Sequence, residues 1–194
     1  MTGPSLGSQS SPSPLTMIST KNKDYTKHLL DRSVWWKRIL DVQRPYRNHL
    51  QGLNLGSVLE IGCGLGRNLV NLGNRERSVG IDHNAASVEV AVSRGLVAFT
   101  PEQFLACQWA VPSSFDSLLV SHVAEHMRRD ALVSLLNRYL VYLRNRGRIV
   151  IITPQEAGYG SDPTHVEFMD FKMLAGIIHS LGLTELTHYS FPLP

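Results

Sequence analysis

Three alternate glycines and two acidic residues form the most informative chemical pattern in the sequence. Gly62, Gly64 and Gly66 follow a short apolar run, and Glu60 stands two residues before the first of them. Glycines at the point where a strand turns into a helix let a ligand approach the backbone and let the helix pack close to the sheet. Asp82 comes 20 residues after Gly62, a spacing at which a carboxylate accepts hydrogen bonds from ribose hydroxyls. The pattern predicts a site for a nucleoside-bearing ligand.

The charges around this turn indicate which nucleoside it would bind. A dinucleotide lays its pyrophosphate on such a turn, and its usual fingerprint has a glycine where Arg67 stands. The Glu60 carboxylate would repel a pyrophosphate, whereas it would attract the ammonium and sulfonium groups of S-adenosylmethionine. The sequence therefore favours the sulfonium cofactor.

Residues 58–66 resemble the first motif of the class I S-adenosylmethionine-dependent methyltransferases, and residues 80–82 resemble the next motif. The resemblance runs from about residue 57 to the end of the chain and is nearest to the type 11, ubiquinone-biosynthesis-like branch. It implies that Cys63 contributes its backbone rather than a nucleophilic thiol. The cofactor site that we assign on this resemblance contains Glu60, Gly62, Cys63, Gly64, Gly66, Asp82, His83 and Ser121.

The segment 100–104 falls where the adenine lies in such enzymes, beyond the third strand. Family members often carry an aspartate there, and this segment has none. The resemblance gives that role to Glu102 or Gln103, with Phe104 packing on the adenine ring. In the alternative interpretation Phe104 belongs to the core, and Glu102 is a first-turn helix residue favoured by the helix dipole.

Residues 115–127 resemble the fourth-strand motif of the same branch, in which a Glu-His pair follows the strand. Ligands of open parallel sheets bind at the carboxyl ends of the strands, so His122 and His126 should face the same cleft as Gly64. Histidine removes protons efficiently near neutral pH, and we predict His126, His122 and His165 as catalytic residues. The alternative for His126 is a structural bond to the backbone of its loop.

The stretch 153–169 is similar to the substrate loop of that branch, in which a Thr-His pair followed by aromatic residues closes over the cleft. A connection of this length in a compact domain is usually functional. We predict Tyr159, His165 and Phe168 as substrate-binding residues. The segment 162–165 could instead be a simple turn in which Thr164 caps a helix.

A metal ion is not expected. Some related ubiquinone-pathway O-methyltransferases hold a divalent metal through two glutamates and one histidine near the fourth strand. The matching positions here are His122, Glu125 and His126, a poor ligand set for magnesium. These three residues are also neighbours in sequence, so we predict no metal site.

The elements that position these residues alternate between short β-branched runs and helical stretches, which predicts a parallel sheet with crossover helices. We expect strands at 57–61, 78–82, 96–99, 117–121, 148–153 and 184–191. Helices are expected at 67–72, 85–94, 102–107, 129–143 and 170–181. The fold class is α/β, a Rossmann-like three-layer αβα sandwich with a mainly parallel sheet of order 3-2-1-4-5-(7)-6. We expect the seventh strand to be missing, since the sequence stops at Pro194.

Three segments are expected along the chain. Residues 1–20 are mostly Ser, Pro, Gly and Thr and should form a disordered tail. Residues 21–52 should form an N-terminal helical cap, in which either Trp35 or Trp36 lines the substrate cavity. Residues 53–194 should form the S-adenosylmethionine-binding methyltransferase domain, incomplete at its C-terminus.

Composition restricts the partners. The net charge of +3 is too small for non-specific binding to nucleic acid, no apolar run is long enough for a membrane span, and two cysteines indicate a reduced, cytoplasmic protein. The oligomeric state is left open. We expect methyl transfer to a small-molecule acceptor, with a hydroxyl oxygen preferred. The alternatives are a non-catalytic cofactor-binding pseudoenzyme or regulatory subunit, and a NAD-dependent oxidoreductase.

Overall fold

The computed structural model describes residues 44–160 and 162–191 of the chain. The predictions for the 1–20 tail, for Trp35 and Trp36, and for the cap up to residue 43 lie outside these ranges. The helices of the described part are α1 (Arg44–Gly52), α2 (Arg67–Leu72), α3 (Ala85–Ser93), α4 (Pro101–Leu105), α5 (Arg129–Leu140), α6 (Glu156–Tyr159) and α7 (Phe171–Ser180). The strands are β1 (Val58–Ile61), β2 (Ser78–Ile81), β3 (Val97–Phe99), β4 (Phe115–Ser121) and β5 (Leu143–Ile152).

The five strands form one parallel sheet in the order β3-β2-β1-β4-β5. In this register Glu60 of β1 lies between Gly80 of β2 and Leu119 of β4. The carboxyl ends of β1, β2 and β4 therefore meet at one edge. The prediction of a Rossmann-like α/β fold with its first five strands in this order is confirmed.

Helices cover both faces of the sheet. On one face, Leu132 and Leu136 of α5 and Ile177 of α7 pack into the largest apolar cluster, together with Leu59 and Val120. Helices α1, α2 and α3 cover the other face. Side chains alternate along a strand, so the side chain of Glu60 points to this second face, towards α2.

The prediction of a sixth strand at 184–191 is wrong, because these residues form no strand. The Tyr189 hydroxyl shares a 3.0 Å hydrogen bond with Nε2 of His49 in α1. The ring of Phe191 stacks on the same imidazole at a centroid distance of 4.1 Å, and Leu186 is 76% exposed. The segment thus packs on α1 through its aromatic side chains instead of pairing its backbone with β5.

The fifth strand begins earlier than predicted. β5 starts at Leu143 rather than at residue 148, and α5 ends at Leu140. Its ladder with β4 runs from the pair Phe115 and Leu143 to the pair Ser121 and Ile152, with a register shift before the pair Ser117 and Arg148. The extra residues of β5 at this shift form a bulge.

Among the residues that the structure describes, no helix has both the length and the apolar character needed to cross a membrane.

Helix α2 and the turn before it pack closely against β2 at Gly80. A Cβ atom on Gly80 would lie 2.6 Å from Sγ of Cys63 and 2.8 Å from Cδ1 of Leu69. Both side chains are buried. The absence of a side chain at Gly80 therefore sets the position of the turn that follows β1.

The Gly80→Ala variant should lower the free energy of unfolding by about 1–3 kcal/mol, because the added methyl group would displace Cys63 and Leu69. Gly52→Ala is the matched control, since a Cβ atom there would meet no atom within 4 Å. Its effect should stay below about 0.5 kcal/mol. Urea denaturation measures both variants, and equal stabilities would contradict the close packing at Gly80.

Candidate functional site

The turn after β1 is held against the end of β2 by its own backbone. The amides of Gly62 and Cys63 donate to the carbonyl oxygen of Ile81 at 2.7 and 3.0 Å. Gly62, Gly64 and Gly66 have φ values of 79°, 52° and 78°, in the left-handed region that side chains disfavour. A Cβ atom on Gly64 would meet nothing within 4 Å. The turn thus leaves open space above Gly64 into which a ligand could approach the backbone.

The carboxylate of Asp82 is fixed by two backbone amides. Gly64 N donates to Oδ2 at 2.7 Å, and Asn84 N donates to Oδ1 at 2.8 Å. Each carboxylate oxygen can accept more than one hydrogen bond. Asp82 is therefore an oriented acceptor beside the glycine turn, suited to the hydroxyl groups of a ribose.

Glu60 is a buried acid with an unsatisfied oxygen. Its side chain is 1% exposed, and Nδ2 of Asn68 donates to Oε1 at 2.7 Å. Within the described ranges Oε2 has no hydrogen-bond partner. Burial raises the pKa of Glu60 to about 8, although the Asn68 hydrogen bond and the Arg67 charge act in the opposite direction. A cationic ligand beside this carboxyl would satisfy the unpartnered oxygen.

Tyr46 of α1, which was not predicted from the sequence as a site residue, lies over the same part of the site. Its hydroxyl shares a 3.4 Å hydrogen bond with Oγ of Ser121 at the end of β4. The guanidinium carbon of Arg67 lies 5.8 Å from the centre of the Tyr46 ring. Burial raises the pKa of the Tyr46 hydroxyl. Tyr46 thus connects α1 to the glycine turn and to β4.

The residues predicted for the adenine do not all face the cleft. Phe104 is 0% exposed and packs edge-on against Tyr142 at a centroid distance of 5.0 Å. The predicted packing of Phe104 on the adenine ring is therefore wrong, because its side chain fills the core beneath α4. Glu102 and Gln103 are exposed in the first turn of α4, and Oε1 of Gln103 accepts from the Thr100 amide. His83 is also exposed, with Nδ1 3.7 Å from Asp82.

The loop after β4 carries two of the predicted histidines. His122 has a φ of 56°, and its amide donates to the carbonyl of Ile152 at the end of β5. Its Nδ1 lies 3.2 Å from Oε1 of Glu125. His126 ends a short 3₁₀ turn, Ala124–His126, with its ring half-buried. The Glu125 side chain lies beneath this turn and is buried.

The loop after β5 closes over these residues. Nδ1 of His126 lies 3.2 Å from the carbonyl oxygen of Thr164. The His165 ring lies 5.0 Å from the His126 ring and stacks on Tyr159 at 5.0 Å, and Phe168 packs edge-on against Tyr159. The structure therefore brings His126 together with Tyr159, His165 and Phe168.

The predicted turn at 162–165 also forms. Oδ1 of Asp162 accepts hydrogen bonds from the amide and the hydroxyl of Thr164 at 2.9 and 2.7 Å. These bonds contribute to a lowered pKa of Asp162, against the effect of burial. Thr164 caps no helix. The carbonyl oxygen of Thr164 instead bonds to Nδ1 of His126 and orients its ring. The 162–165 turn is therefore part of the loop that faces the cleft.

Residues 58–147 match a family model described as a methyltransferase domain. The match begins at β1 and ends within β5, and it includes the glycine turn, Asp82 and the histidines of the loop after β4. No protein with a curated description matches the chain.

Solved structures share the fold. A SAM-dependent methyltransferase from Archaeoglobus fulgidus is 22% identical, with a TM-score of 0.60, over 83% of this chain and 74% of that one. A SAM-dependent methyltransferase from Thermotoga maritima, described as a possible histamine N-methyltransferase, is 19% identical, with a TM-score of 0.59, over 83% and 80% of the two chains. DhpI, solved as a complex with SAM and HEP, is 17% identical, with a TM-score of 0.56, over 82% and 85%.

Replacing Glu60 should change how stability depends on pH. The folded protein keeps a proton on Glu60 up to about pH 8, whereas the ordinary pKa is 4.5. Between these values the folded state binds more protons than the unfolded state, so stability falls as pH rises, by up to about 1.4 kcal/mol per pH unit. This contribution is fully present below pH 4.5 and is lost as pH rises through about 8.

Glu60→Gln removes the titration and keeps the acceptor for Asn68. Urea denaturation of both proteins without ligand, from pH 5 to 9, should show the variant gaining stability relative to the natural chain as the pH rises. If the difference in free energy of unfolding between the two proteins did not change with pH, it would contradict the raised pKa of Glu60.

Proposed function

We propose that this protein, which has the class I methyltransferase fold, uses S-adenosylmethionine to transfer a methyl group to a hydroxyl oxygen of a small-molecule acceptor. The observation that carries the proposal is the group formed by His126, His165, Tyr159 and Phe168. This group combines proton acceptors with aromatic surfaces. It lies in the loops that follow β4 and β5, on the edge of the sheet that also carries the glycine turn.

The residues around the glycine turn fit the cofactor. The open space at Gly64 admits a ligand to the backbone, Asp82 offers acceptors for ribose hydroxyls, and the unpartnered Oε2 of Glu60 suits a cation. When bound, S-adenosylmethionine supplies a methyl group that its sulfonium already activates for displacement. The residues that we propose to hold it are Glu60, Gly62, Cys63, Gly64, Gly66, Asp82, His83, Glu102, Gln103 and Ser121.

His126 is the proposed general base, with His122 and His165 beside it. The carbonyl oxygen of Thr164 can only accept, and the Thr164 hydroxyl, 3.1 Å from Nδ1 of His126, already donates to Asp162, so we assign the ring proton of His126 to Nδ1. The neutral imidazole then has its lone pair on Nε2, where it can accept a proton. A base of this kind is needed when the acceptor is a hydroxyl group, which is why we prefer oxygen to nitrogen.

The aromatic rings of Tyr159 and Phe168, together with His165, form the proposed wall of the acceptor site. Nδ1 of His165 bonds to the carbonyl oxygen of Tyr159 at 2.6 Å, which fixes the His165 ring against the Tyr159 ring. A flat, preorganised surface of this type aligns an acceptor with the methyl donor, and alignment supplies much of the rate acceleration in such displacements.

The organisation of the chain belongs to the same proposal. Of the helical cap expected at residues 21–52, the described part is α1, with Tyr46 over the glycine turn. We assign the methyltransferase domain to residues 53–194. Cys63 and Cys107 are free thiols in the structure, which supports a location in the reducing cytoplasm.

His126→Ala should lower turnover by about 10²–10⁴-fold on a hydroxyl acceptor, because the proton has no positioned base. Cofactor affinity should not change, since His126 lies on the acceptor side. His179→Ala is the matched control, because His179 is exposed on α7. A panel of small phenols, alcohols and amines with a labelled methyl donor measures turnover. Full activity of His126→Ala, or transfer to amines alone, would overturn the assignment.

A further inference from the structure

Glu125, His126 and His165 come from two different loops, and their side chains converge. One potential metal-ligating atom of each residue lies within 4.8 Å of those of the other two. The backbone holds the loops together at this place, because the amide of Val166 donates to the carbonyl of Glu125 at 2.7 Å. The convergence is therefore built into the fold.

The carboxylate of Glu125 lacks a partner on one side. Its side chain is 1% exposed, and Oε1 faces Nδ1 of His122. Throughout 44–160 and 162–191, nothing forms a hydrogen bond with Oε2. An unpaired polar atom that is fully buried is costly in free energy. A bound cation would satisfy it.

Both imidazoles present a free lone pair. Nδ1 of His126 donates to the carbonyl of Thr164, and Nδ1 of His165 donates to the carbonyl of Tyr159. Each neutral ring therefore keeps an unprotonated Nε2. Histidines that ligate metals characteristically donate their other ring N–H to a carbonyl or carboxylate, which fixes the tautomer and the ring orientation. His126 and His165 already have this arrangement.

We propose that Glu125, His126 and His165 bind one divalent transition-metal ion of the zinc type. Two imidazole nitrogens and one carboxylate oxygen suit such an ion, whereas magnesium and calcium prefer oxygen ligands throughout. In a tetrahedral site, ligand atoms at about 2.1 Å from a zinc ion lie about 3.4 Å apart. The three atoms, which now lie within 4.8 Å of one another, must therefore approach by up to about 1.4 Å.

The ligands of this site differ from the candidate ligands that the sequence offered, which were His122, Glu125 and His126. His165, from the loop after β5, takes the place of His122, whose Nδ1 instead faces Glu125. The proposal departs from the expectation, made from the sequence, that the chain binds no metal.

Three protein ligands leave a coordination position open, as in catalytic zinc sites. That an acceptor oxygen fills this position rests on the proposed function. A metal lowers the pKa of a coordinated hydroxyl group. The O–H electron pair then stays on the oxygen, and the proton passes to water. In the metal-bound protein the ion therefore replaces His126 as the group that activates the hydroxyl, because the lone pair of His126 is then bound to the metal.

The test uses the full chain after treatment with EDTA and dialysis. Calorimetric titration with Zn²⁺ should show one equivalent bound to the natural chain and to the His179→Ala control. His126→Ala, His165→Ala and Glu125→Gln should each lose this stoichiometric binding. Circular dichroism checks folding. If Glu125→Gln does not fold, the two histidine variants decide, because their side chains are only half-buried.

Absence of Zn²⁺ binding by the natural chain, or unchanged binding by both histidine variants, would overturn the metal site. Methyl transfer assayed on the same samples separates the two proposals. Zinc binding without transfer to any hydroxyl acceptor would overturn the proposed function and leave the metal site intact. Methyl transfer at full rate by protein that binds no zinc would overturn the metal site and leave the proposed function intact.

Discussion

The hydrogen bond from the Gly64 amide to the Asp82 carboxylate is the contact on which the cofactor side of the site depends. It joins the turn after β1 to the end of β2, where the amides of Gly62 and Cys63 already bind the carbonyl of Ile81. The turn therefore cannot shift without moving the acid that would receive the ribose. A single local geometry thus provides both the exposed backbone and the oriented acceptor.

The acceptor side is organised by the same kind of contact between two other connections. The His122 amide binds the end of β5, and the Glu125 carbonyl receives the Val166 amide. Backbone hydrogen bonds therefore join the two loops to each other and to β5. The histidines and aromatic rings meet on this frame and add their own bonds to the carbonyls of Thr164 and Tyr159.

Local patterns in the sequence were sufficient for the first five strands and for the glycine turn with Asp82. The resemblance to methyltransferases is confirmed by the match of residues 58–147 to a methyltransferase domain, and the solved structures confirm the predicted fold. The prediction that Phe104 contacts the adenine was wrong, because a sequence does not distinguish a buried aromatic residue from one that faces a ligand. The segment 184–191 was predicted as a strand but packs on α1 through the rings of Tyr189 and Phe191. The approach of His165 to Glu125, like that of Tyr46 to Ser121, depends on the paths of separate segments and leaves no local signal.

The neutral, buried carboxyl of Glu60 also has a consequence for the thermodynamics of ligand uptake. A cation that docks beside Glu60 favours its ionised form, so a proton should leave for the solvent as the ligand enters. The observed enthalpy of association would then include the heat of protonating the buffer, and it would differ between phosphate and Tris at the same pH. Affinity would in turn increase with alkalinity until the carboxyl is already ionised in the free protein.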